Sequence, residues 1–153
     1  MLIVKKFGGS SVANAERIKH VAQTIVNSYK EGNQVVVVLS AQGDTTDELI
    51  EKAHEINPHA PKREMDMLLA TGEQQSVALM AMAINALGYP VISLNAFQCK
   101  IISTSTYGNA RIKDISTERI VNELEKKNIV IITGFQGVNR HLDLSLIHIS
   151  EPT

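Results

Sequence analysis

Lys6-Phe7-Gly8-Gly9-Ser10 sets a cation beside two glycines and a hydroxyl. Glycines lack a Cβ, so the backbone can turn tightly and come close to a ligand. A helix following such a turn offers unpaired N–H groups and a positive dipole end, both suited to an anion. With Lys6 as a mobile cation, the segment could hold and neutralise phosphate oxygens. Its spacing is neither G-x-G-x-x-G nor G-x-x-x-x-G-K-[ST], so dinucleotide and P-loop readings fail. A plain strand-to-helix turn with a surface lysine is the alternative. Ser40-Ala41-Gln42-Gly43-Asp44-Thr45-Thr46-Asp47 is rich in hydroxyls and could bind a polar metabolite. Thr46 or Asp47 could equally cap a helix. Glu73 follows Ala70-Thr71-Gly72 and opens an apolar stretch. There it either complements a helix dipole or faces a crevice and pairs with a substrate ammonium group.

Other reactive side chains carry less. His20, His54, His59, His141 and His148 form no H-x-x-x-H or Cys/His set, so no metal site is expected. His20 belongs to the solvated side of its helix. Cys99 stands alone, without an evident base, and reads as an inert thiol. The spacing of Met65, Met67, Met80 and Met82 suggests core filling. Glu123-Leu124-Glu125-Lys126-Lys127 reads as a solvated helix end.

Elements that would position these groups follow from the hydrophobic period. Leu2 to Phe7 reads as a strand, then a tight turn over 8–11. Ile18, Val21, Ala22, Ile25, Val26 and Tyr29 mark one face of a helix that Gly32 stops. Val35 to Leu39 and Ile129 to Thr133 are apolar on both faces, as central strands of a parallel sheet must be. A short helix is expected over about 47–54. Two helices, about 63–69 and 73–87, are expected with Gly72 between them. The second is rich in small residues and Met, which suggests burial on several sides. Val91 to Leu94 is a strand, 99–111 is irregular, and Ile112 to Ile115 is a short strand. Ser116 or Thr117 can cap a helix reaching about Lys127. Strands alternate with helices, so the expected fold class is α/β, a layered sandwich with a mainly parallel central sheet. Ligands of such sheets bind beyond the carboxyl ends of the strands.

The 153 residues carry 15 Lys and Arg against 16 Asp and Glu, a net charge of −1. Such a chain has no field for nucleic acid or an anionic membrane. Three Tyr, three Phe and no Trp argue against a base-stacking platform. No apolar run approaches the ~18 residues of a transmembrane helix. The amino-terminal charges follow the apolar residues, the reverse of a signal peptide. With one cysteine no internal disulfide forms, and a cytoplasmic location is expected.

Several segments, in order, resemble the aspartate kinases. They are Val4-Lys5-Lys6-Phe7-Gly8-Gly9-Ser10-Ser11-Val12, Val36-Val37-Val38-Leu39-Ser40-Ala41, and Gly43-Asp44-Thr45-Thr46-Asp47-Glu48-Leu49. Then come Arg63-Glu64-Met65-Asp66-Met67-Leu68-Leu69, Thr71-Gly72-Glu73, Gly108-Asn109-Ala110-Arg111-Ile112 and Gly134-Phe135-Gln136-Gly137-Val138-Asn139. The resemblance implies the amino-acid-kinase sandwich. It implies transfer of a phosphoryl group from ATP, with Mg2+, to the β-carboxylate of L-aspartate. The product would be 4-phospho-L-aspartate, on the route to lysine, threonine and methionine. Lys6 would touch the transferring group as the catalytic cation. Lys6, Phe7, Gly8, Gly9 and Ser40 would hold ATP. Thr46 and Glu73 would bind aspartate, Glu73 at its ammonium group. A carboxylate is already nucleophilic at neutral pH, so no general base is required.

After Asp143 the resemblance fails. The family continues with Thr-Thr-Leu-Gly-Arg-Gly-Gly-Ser-Asp, whereas this chain reads Leu144-Ser145-Leu146-Ile147-His148-Ile149-Ser150-Glu151-Pro152-Thr153. The expectation is therefore residues 1–143 as the amino-terminal part of a kinase domain, incomplete at its carboxyl end and inactive alone. Residues 144–153 would be a tail of non-native origin. The family's regulatory ACT domains would be absent, and the full-length homologue would be oligomeric. Rival readings are another kinase of this fold, acting on glutamate, carbamate or a nucleotide, and a non-catalytic ligand-binding module.

Overall fold

A computed structural model describes residues 1–99, 101–103, 105, 107, 112–134, 136–138 and 143–146. The first strand, β1 (Leu2–Phe7), passes through a 3-10 turn at Gly9–Val12 into helix α1 (Ala15–Lys30). Asn14 caps α1 by accepting from the Arg17 N–H at 2.9 Å, satisfying one of the donors that every helix start leaves open. Strand β2 (Gln34–Leu39) follows, then helices α2 (Thr45–Ile56) and α3 (Lys62–Ala86), then strand β3 (Val91–Leu94). A single turn, α4 (Ala96–Cys99), precedes β4 (Ile101–Ser103) and β5 (Ile112–Ile115). Helix α5 (Glu118–Glu125) leads to β6 (Ile129–Thr133), β7 (Gln136–Val138) and β8 (Leu144–Leu146).

The main sheet has the order β1-β2-β6-β3 and is parallel throughout, as the two-faced apolar runs of β2 and β6 require. One face buries Val35, Val37, Leu39, Ile129 and Ile131 under α1 and α3. The other buries Val36, Val130 and Leu94 under Ala96, Cys99, Ile101 and Leu124. A second sheet, β5-β4-β7-β8, mixes antiparallel and parallel pairs.

Several expectations change here. Gly72 does not divide two helices: α3 is continuous, because a helical glycine costs only about 1 kcal/mol and its bare Cα admits a neighbour described below. Glu73 therefore lies mid-helix, and the helix-start reading of it falls. Helix α2 begins at Thr45, so neither Thr46 nor Asp47 is its cap. Thr117 is the N-cap of α5 but makes no side-chain capping bond, and the helix stops at Glu125. Met80 is in the core, but Met67 and Met82 are exposed, and α3 is buried along one side only. Glu123 is buried rather than solvated. The 99–111 stretch contributes β4, and 108–111 lie outside the described residues.

Candidate active site at the carboxyl ends of the strands

Phe7, Leu39, Leu94 and Thr133 end the four parallel strands on one side of the sheet, and the loops beyond β1 and β2 interlock there. The Ser40 N–H donates to the Phe7 carbonyl at 3.3 Å, and the Gly43 N–H to the Gly9 carbonyl at 2.9 Å. Gln42 Nε2 donates to the Val12 carbonyl at 2.9 Å. A methyl on Gly9 would stand 2.7 Å from the Ala41 carbonyl oxygen, so only glycine permits this approach. The Gly134 N–H donates to the Leu39 carbonyl at 2.8 Å, which brings the end of β6 to the same place.

Helix α3 supplies the third wall. A Cβ at Gly72 would lie 2.9 Å from Ala41 Cβ and 3.5 Å from Thr45 Cγ2. This contact seats the middle of α3 against the loop after β2. Along the buried side of α3 the later half is apolar, with Val77, Met80 and Ile84, whereas the earlier half buries polar Asp66, Glu73 and Ser76 alongside Leu69 and Ala70. The apolar half lies over the sheet, and the polar half begins where the strands end. Glu73 is 6% exposed and Asp66 1%. A buried carboxylate is costly unless something compensates its charge, which makes this wall unusual. Among the described residues the buried hydroxyl of Ser76 has no hydrogen-bond partner.

The structure thus brings Gly8, Gly9, Ser40, Thr46 and Glu73 to the loops and helix turns at one end of the sheet. Thr46 is half-buried in the first turn of α2. Lys6 pairs in register with Val38, on the sheet face opposite Phe7, one residue from the strand end, and it is exposed. Phe7 packs against the core of α1 and α3. A groove of about 710 Å³ runs beside this cluster along the start of α1, lined by Ser11, Asn14, Arg17 and His20. It shares only Phe7 with the candidate residues.

Sequence reasoning missed Asp66, whose burial no local pattern announces, and the fastening of α3. Arg63 pairs with Glu64 and Asp143, and the Tyr107 hydroxyl donates to Asp143 at 2.9 Å. The hydrogen bonds that Arg63 donates to Asp143 and to Glu64 push its pKa above the ordinary value. Burial pushes the Cys99 thiol up to about 11, consistent with an inert sulfur. Exposed His20 agrees with its expected side. Among the described residues no three His, Cys, Asp or Glu gather as a metal site.

Comparison with known proteins decides the lineage of this arrangement. A profile described as Amino acid kinase family matches residues 1–150. The chain belongs to the amino acid kinase family. Within that family it is similar to curated aspartokinases. It is 50% identical to that of Bacillus sp. (strain MGA3) over 146 residues, 95% of this chain and 36% of the relative. It is 53% identical to that of Geobacillus stearothermophilus over 137 residues, 90% of this chain and 34% of the relative. The chain therefore spans about a third of the length of these relatives. The aspartate kinase from Synechocystis superposes with a TM-score of 0.79 at 39% identity, covering 99% of this chain and 24% of that one. E. coli aspartokinase III superposes at 0.83 with 16% identity, covering 97% and 44%, and shares the fold. No helix among the described residues is long and apolar enough to cross a membrane.

Proposed function

We propose that this chain forms the amino-terminal part of an aspartate kinase, which transfers the γ-phosphoryl group of MgATP to the β-carboxylate of L-aspartate. The observation that carries this reading is the interlocked glycine loop and Ser40–Thr46 loop beside buried Glu73, in a chain 50% identical to an aspartokinase. Backbone N–H groups at Gly8 and Gly9, with Ser40 and Phe7, would line the phosphates, and Lys6 would neutralise charge as the phosphoryl group moves. Glu73 would meet the aspartate ammonium group and Thr46 its polar end. The acceptor carboxylate is ionised at neutral pH, so the residues need only align and neutralise. Mg2+ would enter as part of the nucleotide substrate, bound mainly by phosphate oxygens and water. The product, an acyl phosphate, suits the route to lysine, threonine and methionine, in the cytoplasm. Regulation would reside in segments beyond those present, and the complete enzyme would be oligomeric. Residues 1–143 would be the kinase part and 144–153 a tail of other origin.

The test is a chimera in which residues 1–143 replace the matching third of the Bacillus aspartokinase. Aspartate-dependent ADP release is expected, with glutamate inert. A folded chimera that turns over glutamate would favour the sister kinases, and one that turns over neither would favour a binding module.

A further inference from the structure

The carboxylate of Asp143 joins three segments that lie far apart in the chain. Arg63, in the first turn of α3, donates through Nη2 to Oδ1. Tyr107, between β4 and β5, donates its hydroxyl to Oδ2 at 2.9 Å. Asp143 itself stands at the entry to β8. Its side chain is 19% exposed, against 58% for Glu64, the other partner of Arg63. Water therefore screens the Asp143 pair far less than the Glu64 pair. The register of the second sheet shows what this junction governs. Strand β8 packs along α3 and pairs with β7, Val138 opposite Leu144 and Gln136 opposite Leu146. Gln136 is two residues past Gly134, whose N–H bonds the Leu39 carbonyl where the main sheet ends. Strand β8 thus starts at the Asp143 junction and returns the chain to the strand ends.

We propose that Arg63 and Asp143 are a positioning pair for the candidate site, setting the chain that runs through β8 against the helix that carries Glu73. The pair itself touches no substrate. Strands β7 and β8 have three residues each, and β7 meets β4 at Ile102 and Val138. So short a hairpin has too few ladder bonds to hold its own place. A charged tether at its entry supplies what the ladder lacks, because Arg63 fixes the direction of one oxygen of Asp143 and Tyr107 that of the other. Glu73 lies ten residues beyond Arg63 on the same helix, about 15 Å away along its axis. One part of α3 therefore holds the tether and another the candidate substrate contact, with β8 packed alongside. The consequence for aspartate rests on the kinase reading, whereas the tether does not.

Two measurements test it. In the 153-residue chain, hydrogen exchange compares the amides of β7 and β8 with those of β1 and β2. Asp143→Asn and Arg63→Met should each speed exchange in β7 and β8 by about tenfold or more and leave β1 and β2 as they were. In the chimera described above, each variant should raise the aspartate KM by about tenfold or more, with the ATP KM and Tm held. The double variant should lose no more than either single one, because each residue acts through the other. Glu64→Gln, which removes the exposed partner of Arg63, should change neither reading. Exchange in β7 and β8 unchanged by both variants would overturn the tether. Additive losses in the double variant, or equal rises in both KM values, would overturn the positioning role. A parent chimera without aspartate turnover would overturn the consequence for aspartate along with the kinase reading, and exchange alone would then decide the tether.

Discussion

Lys6 contributes almost nothing to packing, because its side chain is exposed at the end of β1. Lys6→Met in the chimera should therefore fold normally yet lose ~10²-fold or more in kcat, the scale of one oriented charge in a transition state. A kcat near that of the parent would remove Lys6 from the phosphate. Glu73 is the opposite case, buried and shape-dependent. Glu73→Gln keeps its volume and removes its charge, so the aspartate KM should rise far more than the ATP KM. Losing one partner of a buried charged contact is worth ~2–5 kcal/mol. Equal rises in both constants would return Glu73 to a structural role. Both residues were candidates in the sequence because each lies close to a glycine, which permits close backbone approach. What the sequence hid was depth: nothing local to Glu73, Asp66 or Glu123 says that each carboxylate is buried, since burial is decided by elements distant along the chain.

Gly72 shows two effects opposing each other within one helix. Gly72→Ala would gain up to ~1 kcal/mol of helix propensity. Its new methyl would stand 2.9 Å from Ala41 Cβ, and overpacking of that kind costs ~1–3 kcal/mol. The expected result is net loss, read as a lower urea midpoint at unchanged m-value; a higher midpoint would show that the contact between α3 and the loop after β2 yields easily. Helix α5 is fastened by charge instead. Arg119 Nε donates to buried Glu123 at 2.8 Å, and Asn128 Nδ2 donates to its other oxygen at 2.9 Å. The hydrogen bond from Arg119 holds the Glu123 carboxyl below its ordinary pKa. A lowered carboxyl pKa adds stability at neutral pH that is lost as pH falls through the folded-state value. Glu123→Gln should accordingly lower Tm at pH 7, and its deficit should narrow in acid; a deficit independent of pH would mean packing alone. The six-residue runs of β1 and β2 and the period of α1 were legible beforehand because each is long and strongly patterned. The three-residue strands β4, β7 and β8 were not, since Gln136-Gly137-Val138 has no alternation to read and acquires strand geometry only from its neighbours.

On the proposed reading, the whole chain would form one wall of a two-substrate site. In-line transfer needs donor and acceptor held end to end. The chain spans about a third of its aspartokinase relatives, so residues 1–153 alone should release no aspartate-dependent ADP above background. Activity within tenfold of the chimera would defeat that expectation. Strand β1 has an open edge, with Leu2 and Val4 exposed beside it, and such an edge invites pairing with other chains. The position of β6 governs time rather than energy. It lies between β2 and β3, yet it is made after both, with residues 95–128 in between. Until it arrives, β2 and β3 have no common neighbour, and each shows an unfilled edge. A newly made chain must therefore wait, half-sheets apart, for its central strand. Contacts so distant along the chain make for slow folding, and the interval of greatest exposure to misassembly falls just before β6 inserts.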